Sequence, residues 1–447
     1  IQTSQVQPIE PVFVDYKKDM SQFEAQPGID VLYKKNETND IFTLIYVFNT
    51  GTENDPALNL AFNYLSYLGT DKMTAEEIAS EMYDIACSFY MNAGANQSSI
   101  QITGLSENMG KAMEIVEGLI AGAKPDEAIL ENCKADMLKS RADAKLNQSR
   151  CFGALQRYLF YGGDFIRRTT LTDPALQALT SEQLLAKIGG LMGKQHEVLY
   201  YGPQKETEVK SALAEHHKVA ADLQPLEKKF STLLPTDANK VVLAQYDAKQ
   251  LYYLQFSNRG EKFDVAADPE ITLYNEYFGG GMNTIVFQEM REARGLAYSA
   301  WATLATPSNA NGDYSYYAFI ATQNDKMQMA IEAFDEIINN MPESETAFKI
   351  AKEGLISRLR TDRTVKEQVL WSFIGLRNLG LEEDRDKQIF EKVQAMTLAD
   401  VKAAQEKWVK NRKYVYGILG DIQDLDLNYL KTLGPIRTVS QEEIFGY

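Results

Sequence analysis

The chain repeats itself, and a repeat of this size restricts it to an architecture that can be built twice. IQITGLSENMGKAMEIVEGLI, starting at Ile100, and AFIATQNDKMQMAIEAFDEII, starting at Ala318, each read as a short strand, a polar turn and an amphipathic helix. In the first helix Ala112, Ile115, Val116, Leu119 and Ile120 share one face at i, i+3, i+4, i+7 and i+8. Ala330, Ala333, Phe334, Ile337 and Ile338 do the same in the second, each at the same displacement along the chain. The agreement extends both ways. Pro125 and Pro342 precede long helices carrying Ser140-Arg141 and Ser357-Arg358, and LTSEQLLAKI (Leu179 on) and MTLADVKAAQ (Met396 on) each place a Thr before a helical run. Each copy closes on a strand, EVLYYG from Glu197 and KYVYGILG from Lys413; upstream, IFTLIYVFNTG from Ile41 matches QLYYLQFSNRG from Gln250.

Each copy is therefore about 210–220 residues long. Strands in hairpins mixed with helices predict an α+β fold: two homologous domains, each an antiparallel-rich sheet with helices packed on one face. The expected divisions are a linker-like segment over 1–20, a first domain over 21–225 and a second over 226–447, with a polar, proline-bearing linker near Asp222 to Lys240. The first residue is Ile1, so the opening segment reads as a cut or processed front edge of something longer.

Composition excludes some functions. A net charge of -16 disfavours nucleic acid, which requires a basic face, and no apolar run reaches the roughly 18 residues of a membrane span. Cys87, Cys133 and Cys151 form no disulfide framework and no CxxC. His196, His216 and His217 match no zinc spacing, and His216 and His217 would point about 100° apart on a helix, so all three are expected to be surface or structural. No G-x-S-x-G or P-loop occurs. Gly279 to Gly281 read as a helix end with close backbone packing, followed by Asn283 as N-cap. From there a helix is expected with Val286, Met290 and Ala293 buried, stopped by Gly295 and followed by a strand over Leu296 to Leu304. That turn could bring Arg291 and Tyr298 to one point, where a guanidinium and a phenol would suit a developing oxyanion.

The run YFGGGMNTIVFQEMREARGLAYS resembles the signature of the insulinase (pitrilysin) family of inverted-motif zinc peptidases, in the half that lacks the metal. Active members carry H-x-x-E-H on a helix in the other half. Alignment on Gly69-Thr70 puts Leu60 and Tyr64 at the histidine positions and Asn63 at the glutamate, so the resemblance implies a degenerate zinc motif that Glu131 and Asp136 cannot rescue. It implies that Arg291 and Tyr298 hold the scissile carbonyl and its oxyanion opposite a zinc ion bound elsewhere. Met82 and Phe89 or Ser88 stand near the corresponding places of the first copy, whereas Glu292 and Arg294 read as structural. The implied function is the metal-free half of a zinc metallopeptidase that acts on unfolded peptides in a closed chamber. No cofactor is expected in this chain, the zinc belonging to a catalytic H-x-x-E-H half, fused or separate. The alternative is a non-enzymatic scaffold or peptide-binding subunit of the same family. The family points to a bacterial periplasm or cell envelope.

Overall fold

Ile41–Phe48 (β3) and Gln250–Ser257 (β8) are almost wholly buried, unlike a strand with one face in water. The computed structural model, which describes residues 7–447, shows what covers them. The remaining strands are Ser21–Gln26 (β1), Ile29–Lys35 (β2), Cys87–Ala93 (β4), Ser98–Leu105 (β5), His196–Gly202 (β6), Lys240–Gln245 (β7), Ser299–Ala305 (β9), Ser315–Gln323 (β10), Val415–Gly420 (β11) and Ile436–Val439 (β12).

They form two six-stranded sheets, ordered β1-β2-β6-β3-β5-β4 and β12-β7-β11-β8-β10-β9. Five strands correspond one to one. The β2–β6 and β7–β11 pairs are parallel, and the three pairs that follow in each sheet are antiparallel. The sixth position breaks the symmetry: β1 joins β2 antiparallel from the front of the chain, whereas β12 joins β7 parallel from its end.

One face of each sheet packs on its own helices. The stripes of helices Met109–Gly122 and Met327–Asn339 are buried there as the spacing predicts. Thr180 and Thr397 cap their helices through capping boxes with Gln183 and Asp400. The opposite face is covered by a helix from the other copy. Cys151, Phe152, Leu155 and Leu159, on the helix Gln148–Thr169 of the first copy, pack on Val242, Leu254, Phe319 and Val415 of the second sheet. Val369, Leu370 and Ile374, on the helix Gln368–Asn378 of the second copy, pack on Leu32, Ile45, Val47 and Leu199 of the first. Arg377 fixes that helix with two bonds to Glu197 of β6, at 2.8 and 2.6 Å. The other helix lies so close to β11 that a Cβ at Gly417 would stand 2.3 Å from the Leu159 side chain. At Gly162 it kinks, with φ 84°.

The first copy ends at helix Glu206–His216, and the stretch to β7 crosses without a long element, tied by Leu234 N–H to the Phe160 carbonyl and Thr236 N–H to the Asn258 carbonyl. Of the expected N-terminal segment, residues 1–6 lie outside the described residues. The remainder runs against second-copy helices, with Val14 N–H on Asp384 and the Tyr16 hydroxyl 2.9 Å from that of Ser372.

Each fully buried leucine or phenylalanine of the exchanged helices contributes roughly 1.5–3 kcal/mol, so neither sheet is complete without the other copy. Leu370→Ala should cost about 2–5 kcal/mol, although it lies in the second copy. Hydrogen exchange should show β3 and β6 of the first sheet losing protection; a loss confined to the second copy would contradict the exchange.

Candidate functional site

The helix Asp268–Phe278 stops because Gly279 lies against edge strand β9: a Cβ there would be 1.9 Å from the Ala302 carbonyl oxygen. Ala302 N–H bonds the Gly279 carbonyl, and the Asn275 amide pairs with both the N–H and the C=O of Leu304, at 2.9 Å each. The close-packing reading therefore holds for Gly279, whereas Gly280 and Gly281 are exposed. Asn283 is not the N-cap. Thr284 takes that place, and its hydroxyl donates to the Gly281 carbonyl.

The helix Ile285–Phe287 widens at once into a π-helical turn, Gln288–Ala293. Val286 and Met290 are buried as expected, but Ala293 is exposed. More residues per turn rotate the face, so a stripe projected at 3.6 residues per turn misses it. Gly295 ends the turn with φ 59°, as its C′ reading requires, and Leu296 N–H returns to the Met290 carbonyl. The strand then begins at Ser299 rather than Leu296.

This brings Arg291 and Tyr298 together. The guanidinium carbon lies 5.7 Å from the Tyr298 ring centre and 5.0 Å from that of Phe287. The Arg291 side chain is 45% exposed and Tyr298 71%, and the nearest carboxylate to Arg291 is Glu292 at 3.9 Å. Arg294, three residues on, is instead spent on structure. It donates to Glu336 at 2.8 Å and lies 3.6 Å from Glu289, tying the turn to helix Met327–Asn339 and raising its own pKa. Strand pairing corrects the first-copy counterpart of Tyr298. Ser88 faces Thr103 and Ser299 faces Ala321, which are matched residues of the repeat, so Cys87 stands opposite Tyr298 in the duplication, not Ser88 or Phe89. That thiol is buried, and burial pushes its pKa up. Met82 is buried too.

The three positions expected to form a degenerate zinc motif lie on helix Leu58–Leu65. Leu60 is buried and offers no donor atom, Asn63 is exposed, and Tyr64 is buried with its hydroxyl engaged. That hydroxyl accepts from Asp126 N–H at 2.9 Å, lies 2.9 Å from the Ser181 hydroxyl and reaches the Asp126 carbonyl at 3.2 Å. It thus ties together the starts of helices Glu127–Lys145 and Ser181–Leu191. These residues do not fit a zinc ion. The second copy has the same device: the Tyr277 hydroxyl accepts from Ser344 N–H at 3.0 Å and donates to the Pro342 carbonyl at 2.6 Å. Leu273, Glu276 and Tyr277 repeat the spacing of Leu60, Asn63 and Tyr64, a parallel the sequence carries and the sequence reading missed. Glu276 pairs with Arg358, while Arg141 pairs with Asp173. Among the described residues no group of three or more His, Cys, Asp or Glu side chains is placed to hold a metal ion.

Two of the three histidines are buried and joined, a convergence the sequence did not signal. His196 Nδ1 faces the Lys194 carbonyl at 2.7 Å, its Nε2 lies 2.8 Å from His217 Nε2, and His217 Nδ1 meets Glu117. A carbonyl can only accept, so His196 carries its proton on Nδ1 and receives one from His217, leaving one proton held between His217 and Glu117. Burial, then the neighbouring His217, lowers the His196 pKa to about 4. Asp335 takes the place of Glu117 in the second copy, and burial raises its pKa to about 6.

Known proteins resemble this chain in sequence and in fold. The family described as Peptidase M16 inactive domain matches residues 195–355, which include Arg291 and Tyr298. An uncharacterised zinc protease of Streptomyces coelicolor is 22% identical over 266 residues, covering 55% of this chain and 56% of that protein. Of solved structures, a peptidase M16 inactive domain from Pseudomonas fluorescens superposes with a TM-score of 0.69 at 18% identity, over 90% of this chain and 98% of that one. The periplasmic protease PqqL of Escherichia coli gives 0.68 at 14% identity, over 94% of this chain but 48% of its own. The chain thus spans about half the length of that protease and of the Streptomyces relative.

Two outcomes test the structural roles. Tyr64→Phe should lower stability in urea by about 1–3 kcal/mol, because it leaves Asp126 N–H without its partner; an unchanged midpoint would count against the tie. Because the folded His196 pKa lies below its unfolded value, the unfolded chain binds more protons between roughly pH 6.5 and 4. Stability should fall as pH drops through that window, and His196→Gln should flatten the slope in melts recorded across it.

Proposed function

We propose that this chain, a relative of the M16 zinc proteases in their inactive-domain form, is the metal-free half of a bipartite zinc metallopeptidase acting on unfolded peptides. The contrast between its two motif arginines carries the reading. Arg294 is consumed by Glu336 and Glu289, whereas Arg291 keeps its guanidinium exposed beside two rings, Phe287 and the exposed phenol of Tyr298. A merely structural corner needs only the first. Aromatic faces orient a guanidinium without neutralising it, so its donors stay available for an oxygen that gains negative charge.

In this reading a partner half, fused or separate, supplies H-x-x-E-H and the zinc that polarises the carbonyl and provides the nucleophilic oxygen. Arg291 and Tyr298 bind the scissile carbonyl across the closed chamber and donate to it as the tetrahedral oxyanion forms. Support comes from the positions where the first copy would need ligands: Leu60, Asn63 and Tyr64 offer none. The chain's match to about half of PqqL suits a half-enzyme. A scaffold or peptide-binding subunit is the competing reading, and it assigns the exposed pair no task.

Mixing the full chain with a catalytic half and following a quenched unstructured peptide separates the two. Arg291→Ala should lower kcat by about 10²–10³ and Tyr298→Phe by less, with both melting temperatures unchanged because the side chains are exposed. Wild-type rates in both variants would remove the donor role, and chelator-sensitive cleavage by the chain alone would remove the claim that its metal lies elsewhere.

A further inference from the structure

A cleft of about 470 Å³ opens where the first copy, the interdomain crossing and the β9–β10 hairpin meet. Its aromatic walls come from all three: Phe160 and Tyr161 just before the Gly162 kink, Phe230 from the crossing, and Tyr317 from β10. Phe160 packs at 5.2 Å from Tyr317 and 4.4 Å from Phe256, so this wall is anchored in the core. The crossing is fixed over it by Leu234 N–H on the Phe160 carbonyl and by the Ser231 hydroxyl on Glu53. The lining carries a single charged side chain, Asp313, already matched by Lys262 at 2.7 Å and Asn258 at 3.1 Å. What remains is aromatic surface rimmed by hydroxyls and amides.

The position of the cleft says which ligand it suits. It begins at Ala305, the last residue of β9, while Tyr298 immediately precedes the first. Ser299, Trp301, Thr303 and Ala305 are the half-buried positions along one face of that strand, and on the same face Trp301 stacks on Phe319 and meets Tyr317 edge-on. Seven steps of extended chain, roughly 23 Å, separate Tyr298 from Ala305. A polypeptide held at Arg291 and Tyr298 and lying extended along β9 would bring a side chain to the cleft.

We propose that the cleft is a specificity subsite for an uncharged aromatic side chain of the peptide substrate, about seven residues from the bond held at Arg291 and Tyr298. The assignment rests on the peptidase reading for its choice of ligand, and on the cleft's own walls for its preference. An aromatic ring matches four rings of lining, and the one charged side chain of the lining, Asp313, is already paired with Lys262.

The test needs no catalytic half. Fluorescently labelled unstructured peptides, identical but for one Phe or Ala, are titrated into the full chain and followed by anisotropy. The Phe peptide should bind roughly tenfold or more tightly. Phe230→Ala, in the crossing segment, should abolish that preference with an unchanged melting temperature, and Tyr161→Ala should reduce it. Arg291→Ala should leave the preference intact. Equal affinities, a preference that survives Phe230→Ala, or occupancy by a neutral oligosaccharide with no peptide binding would each overturn the proposal. A preference that persists while Arg291→Ala leaves cleavage untouched would refute the donor role alone and leave the subsite standing.

Discussion

Each sheet has two apolar faces and only enough helices of its own to cover one. The crossing of helix Gln148–Thr169 onto the second sheet, and of helix Gln368–Asn378 onto the first, resolves this for both at once. Association of two finished domains would bury their surfaces side by side and leave the relative angle to a few rim contacts. Exchange places one copy's side chains inside the other's packing, where a shift of an ångström leaves voids or overlaps. The Arg377–Glu197 pair and the close seat of Leu159 over Gly417 fix the two crossings in register. The junction cleft owes its shape to this, since one wall belongs to each copy.

Within that frame the second copy departs from the first in the stretch after its first core helix. The first copy runs from helix Leu58–Leu65 through a regular, capped helix, Ala75–Asp84, into β4, and keeps Met82 and Cys87 inside. The second copy puts Gly279 where no side chain fits, engages its edge strand through Asn275, and widens a helix into a π turn. Two of these are locally unfavourable: glycines cost conformational entropy, and π turns are rare, occurring mostly as single turns. Together they carry Arg291 and Tyr298 outward to one spot, while Arg294 anchors the turn on helix Met327–Asn339.

The legible parts of the sequence were those written in local period and short-range caps. The stripes Ala112 to Ile120 and Ala330 to Ile338, the threonine caps and the Gly295 stop all follow from contacts within one or two turns. The exchange was signalled less directly. Ile41–Phe48 has apolar residues at nearly every position, as a strand buried on both faces requires, yet nothing local says which helix supplies the second cover. Ala293 and Asn283 were misplaced because the helix there is neither regular nor capped by a side chain. His196 and His217 meet only through the return of the chain after helix Glu206–His216, a long-range event without a periodic signature.

The duplication also shows what Tyr64, the last residue of the frame 60–64, does for the fold. In both copies the closing tyrosine of that five-residue frame, Tyr64 or Tyr277, uses its hydroxyl to hold the start of the next long helix. The position that the resemblance aligns with a metal ligand is here a structural joint, and because both copies share the joint it belongs to the fold. The buried acid shows the opposite behaviour. Glu117 is answered by an imidazole, whereas Asp335 at the matching place has none, and burial raises its pKa to about 6 against the opposing hydrogen bond from Gln255. A copy is free to change its polar core so long as each buried group finds a partner or a proton. It cannot change the joints and crossings without undoing its twin, so divergence falls elsewhere: at the outermost strand beside the parallel pair, in loops and turns, and at isolated core groups. The Arg291–Tyr298 corner is such a place: a turn and a strand end, rebuilt on a scaffold that both copies must keep.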